Sequence, residues 1–239
     1  MLKALLEVLE LTLVVACLGV ALRLYVQHLR PTWSKPLKRR RLAVGWALVL
    51  GVLATKVTED VLDDESGPID KALLGMIGAR MSHGSTSVFE AITVTGSADV
   101  LTPLTVVATL ALLAARRRFE AMLLAASTLG AAGVVYVVKT VVGRARPDLW
   151  PAQWYWGSSF PSGHTLVVAA FATAAALATA RMWPPARAWA VAAAIVWIAL
   201  VAISRLALGV HWPTDVLAAA CIGASLPLGF SLAFDVKRG

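Results

Sequence analysis

Apolar residues fall into long runs along this chain, separated by short polar joints. A helix needs roughly 20 apolar residues to cross the hydrocarbon core of a bilayer. Seven runs approach that length: about Leu5 to Val26, Leu42 to Val61, Asp99 to Ala115, Glu120 to Val142, Ser162 to Arg181, Arg187 to Ser204 and Pro213 to Phe234. The third is short, but reaches span length if it extends back through Thr93 to Gly96. The first is interrupted by Glu7, Glu10 and Arg23, so it either spans or lies in the interface. The weak alternating ten-residue segments of a membrane barrel are not what this pattern shows, and helices are the other way to satisfy every backbone group in lipid. The pattern therefore predicts an all-α integral membrane protein.

The joint between the second and third runs, about Val57 to Ser97, is longer. It opens acidic, with Glu59, Asp60, Asp63, Asp64 and Glu65. Then Ile69, Leu73, Leu74, Ile77 and Met81 recur at helical spacing. This reads as a short amphipathic helix, lying on the leaflet or packed on the bundle.

Composition agrees with lipid as the main solvent: 59% of the 239 residues are hydrophobic and 15% charged, against about 25% charged in a soluble domain. The net charge of +8 does not point to nucleic acid, because the basic residues come in clusters between apolar runs. Lys35, Lys38, Arg39, Arg40 and Arg41 follow the first run, and Arg116, Arg117 and Arg118 follow the third. Arg181 and Arg187 flank the fifth joint, and Lys237 and Arg238 follow the last run. With seven spans and an outer N-terminus all four clusters fall on one side, which the positive-inside rule assigns to the cytoplasm. Trp33, Trp183 and Trp189 then border the inner face, and Trp150, Trp154, Trp156 and Trp212 the outer. Cys17 and Cys221 both lie inside apolar runs, with no metal-type spacing.

Several cations break the pattern. Lys56, Lys71, Arg80, Lys139, Arg144, Arg146 and Arg205 all fall on the outer face. Lys139, Arg144 and Arg146 end the fourth span and Arg205 ends the sixth, where the fifth and seventh begin. Cations brought together at a low-dielectric border repel strongly. Nearby acids are few, with Asp148 and Asp215 the main candidates. A multi-oxygen anion resolves the conflict, and phosphate suits the arginine fork.

The segment Pro161 to His164 reads Pro-Ser-Gly-His at the start of the fifth span. Ser162 is placed as N-cap, the first amides of the helix offer an anion site, and Gly163 admits close approach. His164 would stand beside that site, whereas His28 and His83 have no such neighbours. In the last joint, Asp215 follows His211 by four residues, within reach of its ring. A carboxylate holding one imidazole nitrogen fixes the tautomer and sharpens the other as a nucleophile. On the residues alone, a salt-linked helix start is an equal reading.

Three segments together have a specific likeness. Lys139 to Pro147 reads lysine, six residues, Arg-Pro; Pro161 to His164 reads Pro-Ser-Gly-His; and Ser204 to Asp215 reads Ser-Arg, five residues, His, three residues, Asp. These resemble, in full and in order, the three signature motifs of the type 2 phosphatidic acid phosphatase superfamily. The resemblance implies a six-helix phosphatase core, here with an additional N-terminal helix. Residues 1–41 would form the added span and basic cytoplasmic loop, and residues 42–239 the membrane core.

The resemblance also implies roles. Lys139, Arg146 and Arg205 would clamp phosphate, and Ser162 with the Gly163 amide would complete the cradle. His211 would attack phosphorus, Asp215 would orient it, and His164 would protonate the leaving oxygen and then activate water. No metal or other cofactor is needed in this scheme. Arg144 is not a motif position; it either contacts the head group or stands exposed. The implied activity is hydrolysis of a lipid phosphomonoester or pyrophosphate at the outer face of a bacterial cytoplasmic membrane. Phosphatidate, phosphatidylglycerol phosphate, polyprenyl pyrophosphate and lysolipid phosphates are the open substrates. Phosphotransfer to an alcohol by the same phosphohistidine is the alternative, with a non-catalytic phospholipid transporter behind it.

Overall fold

The computed structural model describes residues 2–79, 86–148 and 157–238. Arg80, Met81, His83, Trp150, Trp154 and Trp156 lie outside these residues. The described residues are mostly helical, with no strand among them. In order they comprise α1 (Leu2–Leu29), α2 (Ser34–Arg39), α3 (Arg41–Leu62), α4 (Gly67–Gly78), α5 (Thr86–Val94), α6 (Ala98–Ala114), α7 (Arg118–Val142), α8 (Gly163–Met182), α9 (Arg187–Ala207) and α10 (Pro213–Arg238). Short 3-10 turns, Pro31–Trp33 and Pro184–Ala186, join α1 to α2 and α8 to α9.

Seven segments among the described residues are long and apolar enough to cross a membrane, matching the seven sequence runs. The third is the combination Ser87–Ala114, in which α5 and α6 are separated by a turn at Thr95 to Ser97. Thr93 to Gly96 thus extends the short apolar run, as the sequence suggests, with a break rather than a continuous helix.

Helix α8 is the central element, packed against α7, α9 and α10. Its alanine-rich sequence explains this position: small side chains let neighbouring backbones approach where lipid offers no hydrophobic force to drive them together. Leu166, Val168, Ala169, Ala170 and Ala174 are fully buried. At the crossing with α10 a Cβ on Gly223 would stand 2.3 Å from the Leu166 carbonyl oxygen. Only glycine fits there without displacing a helix.

At the end of the bundle that carries the basic clusters, Asp235 ties three elements together. Its Oδ1 accepts from Arg181 at 2.5 Å and its Oδ2 pairs with Arg40 Nε at 3.0 Å. Phe119 and Phe234 stack with centroids 3.8 Å apart, and the Arg181 guanidinium lies 4.4 Å from the Phe119 ring centre. Trp183 and Trp189 at this end are exposed, as border residues should be. Helix α1 lies at the periphery against α3, its surface mostly exposed apart from Val26.

Helix α4 settles a choice the sequence leaves open. It is docked on the bundle against α9 and α10, with Asp70 and Leu74 at 0% exposure. Ile69 and Leu73, from the same apolar pattern, remain exposed.

Candidate active site

The three sequence segments meet at one end of the bundle. Lys139 lies in the last turn of α7, His164 and Ser162 at the start of α8, Arg205 in the last turn of α9, and Asp215 in the first turn of α10. Arg146 and His211 sit on the joints beside them.

The backbone of the first joint is shaped by Gly143, the left-handed C-cap of α7 with φ of +64°. Such a residue ends the helix without a Cβ penalty and turns the chain back over the site. Arg144 N then donates to Ser158 Oγ at 2.9 Å, and Ser159 N to the Arg144 carbonyl at 2.8 Å. Ser158 and Phe160 are buried, and Phe160 packs against residues of α3, α7 and α10.

The cations converge on common acceptors. Lys139 Nζ donates to the Ser158 carbonyl, and Arg146 Nη2 approaches the same oxygen at 3.5 Å. Arg146 Nη1 donates to the Val210 carbonyl at 2.8 Å and lies 3.5 Å from His211 Nε2. Arg205 is 1% exposed and donates to Thr93 Oγ1 at 2.8 Å, fastening α9 to α5. His164 is half-buried, within reach of the charges of Arg205, His211, Lys139 and Arg146.

His211 is 2% exposed and Asp215 is 0% exposed. His211 Nδ1 stands 3.4 Å from Asp215 Oδ2, which also accepts from Trp212 N at 2.9 Å. Burial pushes the His211 imidazole down from its usual 6.5 to about 4; the Asp215 carboxylate opposes this, and the guanidiniums of Arg205 and Arg146 add to it. His211 is therefore neutral at pH 7. Its Nδ1 faces a carboxylate while Nε2 faces the cationic side, the geometry of an oriented nucleophile.

An apolar cavity of about 520 Å³ opens beside His164 and Gly163 and is walled by α6, α7 and α8. Its lining on α6 runs from Ala98 to Leu110, a span of about 18 Å at the helical rise. That volume lies within the range of ligand pockets, roughly 300–1,000 Å³.

The sequence profile described as the PAP2 superfamily matches residues 120–238, which contain all three segments. The chain belongs to the PAP2 superfamily. Its fold resembles that of the first transmembrane PAP2 type phosphatidylglycerolphosphate phosphatase from Bacillus subtilis, with a TM-score of 0.69 and 26% identity over 82% of this chain and 97% of that one. It also resembles Aquifex aeolicus LpxE, with a TM-score of 0.56 over 68% of this chain and 94% of that one. At 22% identity the second likeness is one of fold. No curated protein matches significantly in sequence.

Within this PAP2 site three details depart from the sequence reading. Ser162 occupies the N-cap position, but its hydroxyl contacts Thr165 Oγ1 at 3.1 Å and makes no capping bond to an amide. The backbone N–H of Ser162 instead donates to the Asp215 carbonyl at 3.3 Å, linking α8 to α10. Arg144 does not stand exposed: its side chain is 14% accessible, and its guanidinium is bonded to Asp70 and Asp215. Asp148, one of two acids named from the sequence as local counter-charges, is exposed. The acid that enters the network beside Asp215 is Asp70, from α4. The available signal was an aspartate on the apolar stripe of an amphipathic helix, four residues before the buried Leu74.

Proposed function

We propose that this PAP2 protein hydrolyses a lipid phosphomonoester or pyrophosphate through a phosphohistidine on His211. The observation that carries the reading is the placement of His211 between Asp215 and Arg146, with Lys139, Arg205 and His164 around it. In the first step, Nε2 attacks phosphorus in line with the leaving oxygen. Lys139, Arg146 and Arg205 offset charge on the phosphoryl oxygens, together with the first amides of α8, which have no carbonyl partner within their own helix. His164 gives a proton to the departing lipid alcohol or phosphate. In the second step His164 takes a proton from water, the hydroxide attacks phosphorus, and the P–N bond breaks to release inorganic phosphate.

The apolar cavity supports a lipid substrate. It begins at His164 and descends between helices, so an acyl or prenyl chain can lie there while its phosphate meets the cations. The Bacillus relative makes phosphatidylglycerol phosphate the first substrate to test, followed by phosphatidate and polyprenyl pyrophosphate. In this reading residues 1–41 stand outside the catalytic core.

The test is phosphate release from each lipid by purified protein in detergent, with a chelator present. Wild type should turn over at least one of them, and His211→Ala should not. Full activity in folded His211→Ala rules the reading out. The outer orientation is tested in intact cells with Asp148→Cys, on a background lacking Cys17 and Cys221. Position 148 is exposed and should react with an impermeant thiol reagent added outside; protection there combined with reaction after lysis reverses the assignment.

A further inference from the structure

One guanidinium joins the outer helix α4 to the carboxylate behind His211. Arg144 Nη1 donates to Asp215 Oδ1 at 2.5 Å and to Thr214 Oγ1 at 2.9 Å. Its Nη2 donates to Asp70 Oδ2 at 2.6 Å and to Ser66 Oγ at 2.8 Å. Asp70 accepts in addition from Thr214 N at 3.0 Å and from Thr214 Oγ1 at 2.6 Å. The Thr214 hydroxyl thus gives its proton to Asp70 and receives one from Arg144, so the donors and acceptors agree. Neither Asp70 nor Asp215 has measurable exposure.

Buried carboxylates need a bonded cation to offset their charge. A single guanidinium bonded to both leaves the trio with one formal net negative charge. That charge lies directly behind His211. It also has a fixed direction: Asp215 Oδ1 is held by Arg144, which leaves Oδ2 facing His211 Nδ1 and Trp212 N. Rotation of the carboxylate would break the shortest of these bonds.

Resting on the phosphohistidine reading, we infer that Arg144 and Asp70 are positioning residues for the nucleophile. Arg144 sets the rotation of Asp215, and Asp70 sets Arg144 while pinning the first turn of α10 through Thr214. The connection between the second and third spans thereby takes part in catalysis without touching substrate. Other charged or titratable groups near His211 are Arg205 on α9, Arg146 on the joint after α7, His164 on α8 and, further off, Lys139 on α7. All of these remain in the variants below, and substrate ionisation is common to every one.

The experiment compares wild type with Arg144→Gln, Arg144→Lys, Asp70→Asn and Ser66→Ala, each also made in Asp215→Asn. The substrate is whichever lipid the wild type hydrolyses best. Arg144→Gln should lower kcat on the order of 10²-fold, as small misplacements of reacting groups do, with KM changed by less than about threefold on the same ground. Arg144→Lys should recover part of the loss. Removing the cation raises the proton affinity of His211, so the acid limb of kcat/KM should move to higher pH in Arg144→Gln. Removing the negative charge of Asp70 should move it to lower pH. In the Asp215→Asn background each substitution should cost little, because its route to His211 is already cut. The normalised pH profile does not depend on how much protein folds, and Ser66→Ala is a mild change should Arg144→Gln fold poorly. Equal losses in both backgrounds with an unmoved acid limb would overturn the positioning role. Wild-type protein that releases no phosphate from any of the lipids would sink this inference and the phosphatase reading together.

Discussion

Asp215 presents Oδ2 to Nδ1 of His211 at 3.4 Å, four residues away on the same turn into α10. The pair comes from one short stretch of chain, yet each partner also has a contact from a distant segment. His211 Nε2 faces Arg146 across 65 residues, and Asp215 Oδ1 faces Arg144 across 71. The bundle holds a local pair in a non-local setting.

If the carboxylate fixes the tautomer, Asp215→Asn must damage chemistry more than folding. The amide keeps the shape but removes the charge that accompanies a positive imidazole. The expected loss in kcat is on the order of 10²–10⁴-fold, the upper end being that of the analogous change in a serine-protease triad. Steady-state kinetics beside a thermal melt measures both quantities. A fall in melting point with unchanged kcat would count against the role.

The ionisation of His211 makes a signed statement about pH. Its folded value lies near 4, below the 6.5 of a free imidazole. The unfolded chain therefore binds this proton first as pH falls. Stability from the neutral ring is fully present above 6.5 and is lost as pH drops through the window from 6.5 to about 4. Thermal midpoints across that window should fall more steeply for wild type than for His211→Gln. Parallel curves would contradict the buried neutral imidazole.

Arg205 is the largest fully buried side chain among the described residues, and α9 delivers it to the site from its last turn. Vanadate adopts the five-coordinate shape of the transferring phosphoryl group and should inhibit wild type tightly. Arg205→Lys keeps one charge but loses the planar fork. Its inhibition constant should rise about tenfold or more, the equivalent of one charge-assisted hydrogen bond. An unchanged constant would place Arg205 outside the phosphate site.

The far end of the bundle offers a contrast. Asp235 joins Arg181 and Arg40 away from the site. Asp235→Ala should cost about 1–3 kcal/mol, as lost hydrogen bonds to charged groups do, and lower the thermal midpoint. The kcat of the remaining folded protein should stay within about twofold, since no such contact reaches His211. A large change in kcat with an intact midpoint would reveal coupling between the two ends.

How much of this was legible beforehand depended on the range of the interaction. The seven spans follow from local hydropathy, because lipid imposes one length and one backbone solution on every crossing. The meeting of Lys139, Arg146, His164, Arg205 and His211 followed from which ends of the spans share a face. The partner of Arg144 did not follow. Asp70 lies 74 residues earlier on a helix whose periodicity fits leaflet or bundle equally well. Only the packing of Leu74 selects between them. Ser162 is the N-cap the sequence suggests, but the partner of its hydroxyl is not legible there: an N-cap serine normally bonds an amide, whereas Thr165 one turn later offers a competing hydroxyl.

The most direct measurement is a rapid acid-free quench of wild-type protein with lipid labelled in its phosphate, followed by mapping of the label. The account predicts a phosphoryl group on His211 that is stable to base and lost in acid, formed within the first turnover and absent in His211→Ala. Label on any other residue, or undiminished turnover when His211 is replaced, would contradict it.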